Sequence, residues 1–322
     1  MYLIGIDLGG TEIKGGLFKE DGEVLAKQRI KTPVSEGFEG VCQAIYRLVQ
    51  LLVNAGGIEE KNIKAVGVGI PGVCDGEGMV YSAVNLYWTN VPFGKRLRAI
   101  TGLEIFVEND ATMGAIGESA VGSMKGVKNS VLITLGTGVG GGIIIDHLPY
   151  SGSHGLGSEL GHMIVGENYY DCNCGSNGCL ETFASATALV NYTKKLLQEG
   201  QHESILCTKC QEDLDKLEAK DVFDAAKEGD QLAQKAVQRL VKYLAIGVAN
   251  INNILDPDVI ALGGGLSKAG DYLLNLLNNE VEKYIFFKSE KMKCRLAIAE
   301  LMNDAGIIGA AMLAEKRIQI SS

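Results

Sequence analysis

Two stretches, YLIGIDLGGTEIKGGLF at Tyr2–Phe18 and SVLITLGTGVGGGIII at Ser130–Ile145, share one grammar. Each opens on an apolar run of strand length, breaks at a glycine cluster and resumes as a second apolar run. In the first, Tyr2 to Asp7 reads as a buried strand, Gly9-Gly10-Thr11 as the turn and Ile13 to Phe18 as the returning strand. In the second, Ser130 to Leu135 runs into Gly136-Thr137-Gly138-Val139-Gly140-Gly141-Gly142 and leaves through Ile143-Ile144-Ile145. Such a turn presents backbone N–H groups, and in the first case the Thr11 hydroxyl, to anionic oxygens such as those of phosphate. Neither is a Walker loop, because no Gly-Lys-Ser/Thr follows. The second is no dinucleotide fingerprint, because a strand and not a helix follows it. A glycine pair alone is equally the mark of an ordinary hairpin. Two of these hairpins in tandem, each opening a strand–helix block, predict an α/β fold built by internal duplication.

The surrounding chain fills in both blocks. Val24 to Thr32 is a third strand, reached through an Asp21-Gly22 turn. Phe38 to Val53 has helical spacing, and Ile63 to Ile70 is a strand ended by Pro71-Gly72. Ile105 to Glu108 delivers Asn109-Asp110 to a helix over Ala111 to Val121, and Asp110 stands where an N-cap would. In the second block, Thr182 to Gln198 and Ala233 to Leu255 read as helices. Val259 to Leu262 is a buried strand entering Gly263-Gly264-Gly265, and Arg295 to Glu300 is another strand. Ala305 to Lys316 closes the chain as a helix rich in small residues. The expected division is a small lobe over 1–118, rejoined by 302–322, and a large lobe over 119–301. A polar insert at 199–220 carries Cys207-Thr208-Lys209-Cys210, a pair without a partner pair, read as surface thiols.

Between the second hairpin and its helices lies GLGSELGHMIVGENYYDCNCGSNGCLE, Gly155–Glu181. His162, Cys172, Cys174 and Cys179 form His-x9-Cys-x-Cys-x4-Cys, the donor set of a closed, four-coordinate zinc site. Gly175 and Gly178 sit where the chain must curl to bring the sulfurs together. Four protein ligands leave no open position, so the expected zinc is structural. The alternative is three reduced cysteines packed in a core. Glu159 and Glu181 flank the ligands and suit a polyol, or are simply solvated surface acids.

Composition narrows the classes. The 322-residue chain is 46% hydrophobic with a net charge of −9. That balance argues against a broad nucleic-acid footprint. No apolar run approaches bilayer length. The opening MYLIGIDLGG lacks a basic leader and cleavage site. Eight cysteines without an export signal suggest a reducing, cytoplasmic setting.

Glu159-Leu160-Gly161-His162 followed by Cys172-Asn173-Cys174-Gly175-Ser176-Asn177-Gly178-Cys179-Leu180-Glu181 resembles the ROK family of sugar kinases and sugar-responsive repressors. Asp7-Leu8-Gly9-Gly10-Thr11 through Gly16, Gly69-Ile70-Pro71-Gly72, Asn85-Leu86-Tyr87-Trp88 and Glu108-Asn109-Asp110-Ala111 extend the likeness along the chain. The resemblance implies a two-lobed actin/hexokinase/Hsp70-like (ribonuclease H-like) fold with a zinc-binding loop. It implies Asp110 as general base, with Gly72, Asn85, Asn109, Glu159, His162 and Glu181 around the sugar. It implies Asp7, Gly9, Gly10, Thr11, Gly136, Thr137, Gly138, Gly140, Gly264 and Gly265 around ATP and Mg²⁺, and a structural Zn²⁺. Trp88 either edges the sugar pocket or packs in the core. Glu12, where relatives often carry a basic or amide residue, points away from phosphate or helps hold Mg²⁺. The expected activity is ATP-dependent phosphorylation of a hexose 6-hydroxyl, with glucose favoured over N-acetylmannosamine, N-acetylglucosamine or allose. A homodimer or tetramer is the family habit. Repressors of the family carry a helix-turn-helix ahead of the first strand, which here begins at Tyr2, so a sugar-sensing regulator is the remote alternative.

Overall fold

The computed structural model describes residues 1–200, 204–209, 213–289 and 294–321. They form two compact units, one of residues 1–128, 142–158 and 300–322, the other of 129–141 and 159–299.

The first unit holds β1 (Tyr2–Leu8), β2 (Glu12–Lys19), β3 (Val24–Lys31), α1 (Gly37–Gly56) and β4 (Ile63–Ile70). Three short strands follow, β5 (Val73–Cys74), β6 (Val80–Ala83) and β7 (Trp88–Val91), then α2 (Phe93–Thr101), β8 (Ile105–Asn109) and α3 (Asp110–Val121). Its main sheet has the order β3-β2-β1-β4-β8, and β5-β6-β7 form a separate sheet. β1 runs antiparallel to β2 and parallel to β4. The strand period of two explains how β1 is covered on both faces. Ile4, Ile6 and Leu8 share a core cluster with Ile45, Leu48 and Leu52 of α1. Leu3 packs instead with Phe18, Ala65 and residues of the last helix. Trp88 is 4% exposed and lies against Phe38 and Phe93, with ring centroids 5.2 and 5.1 Å away, so it is a core residue.

Next come β9 (Ser130–Leu135), β10 (Val139–Ile145) and β11 (Leu148–Pro149), then α4 (Glu181–Ala184), α5 (Ala186–Gln198), α6 (Ile205–Lys209), α7 (Ala219–Lys227) and α8 (Gln231–Leu255). β12 (Val259–Gly263), α9 (Asp271–Val281) and β13 (Arg295–Ile298) complete the second sheet, of order β11-β10-β9-β12-β13. β12 is parallel to both β9 and β13. Numbered along the chain within each sheet, both orders read three-two-one-four-five, the duplication expected from the paired hairpins.

The single helix expected over Thr182 to Gln198 is two. Ser185 adopts extended backbone, ψ 164°, and its Oγ accepts from the Ala188 N–H, which N-caps α5. The expected cap at Asp110 is also displaced by one residue. Asn109 is the N-cap of α3, its Oδ1 accepting from Ala111 and Thr112, and Asp110 begins the helix. Cys207 is exposed, whereas Cys210 lies outside the described residues.

α10 (Ala305–Ser321) closes the chain in a groove paved with glycine. Gly5 and Gly67 are register partners on β1 and β4. A Cβ on Gly5 would stand 1.8 Å from the Ile307 carbonyl oxygen, and one on Gly67 1.9 Å from that of Ala310. Gly309 meets the Met113 carbonyl of α3 in the same way, at 1.7 Å. α10 therefore lies on the sheet through backbone contacts that any side chain would block. Gly67→Ala is expected to lower unfolding free energy by about 2–3 kcal/mol, because α10 must back away. Urea unfolding checks this; an unchanged midpoint contradicts it.

Candidate functional site

In the first unit the Gly9-Gly10-Thr11 turn closes with the Gly9 N–H donating to Glu12 O at 3.0 Å. Thr32 buttresses it twice: its Oγ1 donates to Gly9 O at 2.6 Å and its N–H to Thr11 O at 2.9 Å. Glu12 turns its carboxylate toward Arg29 on the neighbouring strand, 3.7 Å away. Asp7, the penultimate residue of β1, stands beside the turn, 3.8 Å from Lys14 and against Gly306 of α10, where a Cβ would come within 3.0 Å of Asp7 Cγ. Burial lifts Asp7 above the ordinary carboxylate value, and the Lys14 ammonium offsets part of that rise.

Of the expected sugar-site positions, Gly72, Asn85, Asn109 and Asp110 fall in the first unit and Glu159, His162 and Glu181 in the second. Asn109 Nδ2 donates to the Gly72 carbonyl at 3.2 Å and keeps a second hydrogen for another acceptor. Gly72 presses on β6, where a Cβ would meet Ser82 O at 2.2 Å. The same strand leads to Asn85, whose Cβ lies 3.3 Å from the position a Cβ on Gly10 would take. Asp110 Oδ1 accepts from the Ala111 N–H at 2.8 Å, at the positive end of α3. Glu108, one residue before Asn109, accepts from the Asn109 N–H and from Ser151 Oγ, at 2.9 and 3.0 Å. Burial raises its carboxyl above the usual range.

The second unit brings together the other glycine turn, the Gly264 cluster and the cysteine loop. Gly136 N–H donates to Gly138 O at 2.9 Å. The chain leaving the loop is stitched to this turn, with Ala186 N–H donating to Gly136 O and Thr187 Oγ1 to Thr137 O, both at 2.8 Å. Glu181 Oε2 accepts from the Val139 N–H at 2.9 Å and fills the space a Cβ on Gly138 would need. Gly161, between Glu159 and His162, abuts the Val139 carbonyl. Gly264 has φ +80° and fits under Leu135 at the end of β9, adjoining Gly136. Gly265 follows it, and Gly140 lies within β10.

The four expected metal ligands converge. His162 Nδ1/Nε2 and the sulfurs of Cys172, Cys174 and Cys179 offer donor atoms all within 4.8 Å of one another. Zn–S bonds of about 2.3 Å in a tetrahedron place sulfurs about 3.8 Å apart. Cys174 Sγ to Cys179 Sγ is 3.6 Å, and Cys172 Sγ to His162 Nδ1 is 3.8 Å. The set fits a zinc ion. Packing of three buried thiols fails as an account, because Cys174 is exposed. The Ser176 backbone N–H and the adjoining thiols draw Cys174 down to about 6, and burial pushes Cys179 up to about 12. Nδ1 faces the sulfurs, which leaves Nε2 of His162 4.0 Å from Glu159 Oε2.

Sequence reasoning missed Thr32 and Ser151, ordinary residues whose partners are distant in the chain, and Lys14, which meets Asp7 only because β1 and β2 pair. Ser185 carried a signal, a serine followed by helix formers, hidden by the continuous apolar pattern.

The raised Asp7 carboxyl sets a pH test. The folded chain holds this proton more tightly than the unfolded one, so the stabilisation is complete below the ordinary value of 3.8 and is lost as pH rises through the folded value. Asp7→Asn is expected to raise the thermal midpoint at pH 7, with the gain shrinking as pH falls toward 4. A lower midpoint at pH 7, or a gain that does not change with pH, contradicts this.

The ROK family model matches residues 3–317. A glucokinase of Thermotoga maritima is 40% identical over 322 residues, 99% of this chain and 98% of the relative. A xylose repressor of Caldicellulosiruptor bescii is 31% identical over 310 residues, 95% of this chain and 76% of the repressor. Among solved structures, a ROK family glucokinase from Streptomyces griseus in complex with glucose and AMPPNP aligns with a TM-score of 0.82 and 33% identity, covering 98% of this chain and all of that one. A match that spans both glycine hairpins and the cysteine loop assigns the protein, which belongs to the ROK family.

Proposed function

We propose that this ROK protein is an ATP-dependent glucokinase that transfers the γ-phosphoryl group of ATP to the 6-hydroxyl of glucose. The reading is carried by Asp110, held on the first turn of α3 beside a locked Asn109, in a chain similar from end to end to glucokinases. Phosphoryl transfer asks a protein mainly for positioning and charge neutralisation. Asp110 accepts the proton of the attacking hydroxyl as its oxygen bonds to the γ-phosphorus and the bond to the ADP oxygen breaks. Asn109, through its second amide hydrogen, holds a neighbouring hydroxyl, with Gly72 and Asn85 beside it. Glu159, Glu181 and His162 Nε2 take further hydroxyls.

The glycine turns at Gly9-Gly10-Thr11 and Gly136-Thr137-Gly138, with Gly140, offer backbone donors to the phosphates, and Gly264-Gly265 the approach to the nucleoside. Asp7, a carboxylate whose burial favours a cation partner, would hold Mg²⁺, which would supply neutralisation of the phosphate charge. The zinc is structural, held by His162, Cys172, Cys174 and Cys179. Its role is to fix the imidazole so that Nε2, not Nδ1, meets the sugar. No helix among the described residues is long and apolar enough to cross a membrane.

Coupled assay of ADP release across glucose, mannose, allose, N-acetylglucosamine and N-acetylmannosamine tests the function. Glucose is expected to give the highest kcat/KM; a higher value for an N-acetylhexosamine overturns the substrate, and no turnover with any sugar overturns the class. Asp110→Asn is expected to lower kcat about a hundredfold or more with glucose affinity kept. Near-normal turnover removes it as the base. Metal analysis is expected to find about one zinc per chain, lost in Cys174→Ser together with glucose binding. Metal-free protein that still phosphorylates glucose contradicts the role of the loop.

A further inference from the structure

The cysteine loop has a second fastening that uses no metal. Arg239, on α8, is half-buried, and among the described residues no carboxylate pairs with it. Four aromatic rings surround its guanidinium instead. The central carbon lies 4.3 Å from the ring centroid of Tyr192, 4.7 Å from Phe183, 5.5 Å from Tyr243 and 5.7 Å from Tyr169. Phe183 and Tyr243 stack on each other at 3.7 Å. A desolvated guanidinium binds such faces through their quadrupoles and its own plane, which an ammonium lacks.

The cage grips the loop on both sides of its cysteines. Arg239 Nη2 donates to Asn168 Oδ1 at 2.7 Å. Asn168 Nδ2 in turn donates to the Thr182 carbonyl at 2.8 Å, which also accepts from Tyr170 Oη at 2.8 Å. Thr182 follows Glu181 directly, and Phe183, the ring beneath the guanidinium, is 1% exposed. Asn168 and Tyr169 precede Cys172; Thr182 and Phe183 follow Cys179. The ligand cluster fixes His162 and the sulfurs, whereas this relay fixes the backbone from which the Glu181 carboxylate projects to the Val139 N–H.

We propose that Arg239 is a positioning residue for Glu181, and that the grip on the hexose depends on it through Asn168. The proposal rests on the hexose-kinase reading above. A merely structural Arg239 changes stability alone; a positioning one changes the affinity for sugar more than the turnover.

The test uses the full chain and two variants. Arg239→Lys keeps the charge and removes the planar fork, and Asn168→Ala cuts the relay while leaving every ring in place. Glucose KM, kcat, zinc content and thermal midpoint are measured for each and for the double variant. Each single variant is expected to raise glucose KM about tenfold, the change that one well-placed hydrogen bond makes. Zinc content stays at the wild-type level and kcat within about threefold. The double variant is expected to be no worse than the poorer single one, because both break the same relay. Glucose KM within twofold of wild type in Asn168→Ala overturns the proposal, whether or not Arg239→Lys folds. So does a fall in zinc content that accounts for the KM change. Wild-type protein inactive on every hexose overturns the kinase reading and this proposal with it, whereas active wild type with unaffected variants overturns this proposal alone.

Discussion

Four donor atoms within 4.8 Å of one another, from one histidine and three cysteines, draw together a loop that forms little regular structure. From Met163 to Leu180 the chain forms no helix or named strand, only isolated bridges from Ile164 to Cys179 and from Asp171 to Asn177. A segment so poor in ladder hydrogen bonds is costly to order. A metal ion bound at the four donors would supply much of that ordering. The consequence reaches the residues with a proposed role at the sugar. His162 is itself a donor, and Glu181 stands two residues past Cys179 with its carboxylate on the second glycine turn. The loop and that turn are in effect one assembly. Gly138 has no side chain because Glu181 occupies the space, and Gly161 none because the Val139 carbonyl does.

Glycine serves the fold in the same way elsewhere. The closing helix meets the first sheet backbone to backbone at Gly5 and Gly67, and α3 at Gly309. This explains a last helix with small residues on most faces, a pattern unlike that of a helix lying on an ordinary apolar surface. It also ties Asp7, near the end of β1, to the start of α10 through Gly306. A carboxyl there is disfavoured as an anion by its surroundings, and so is Glu108 beside Asn109. Raised carboxyls next to the proposed reacting groups are what a site built to receive a cation and a polyol would carry, at some cost in stability.

The features legible in the sequence were those with short-range causes. Strands such as Ile63–Ile70 and Ser130–Leu135 follow from apolar runs ended by proline or glycine, and their bounds are those of the structure. The repeated hairpin grammar anticipated two sheets of one strand order. The convergence of His162 with Cys172, Cys174 and Cys179 was legible because their spacing is local. What escaped was long-range or competitive. Ser185 interrupts an otherwise helical pattern because the second glycine turn draws off the neighbouring backbone. Asn109 takes the cap from Asp110 because its side chain reaches two N–H groups at once, which composition alone does not reveal. Thr32 and Arg239 act on partners 23 and 71 residues away, and nothing about a threonine at a strand end or an arginine on a long helix announces that.

A cluster of four donor atoms and an aromatic cage thus set the polar groups of one unit, and a glycine-lined contact those of the other. The most direct measurement is a crystal structure of the chain with glucose bound, with diffraction recorded at the zinc absorption edge. The account predicts one anomalous peak bonded to His162 Nδ1 and the three sulfurs, with His162 Nε2 on a glucose hydroxyl and the 6-hydroxyl in hydrogen-bond reach of Asp110. Glucose held out of reach of both residues, or held as predicted with no metal at the four donors, would contradict it.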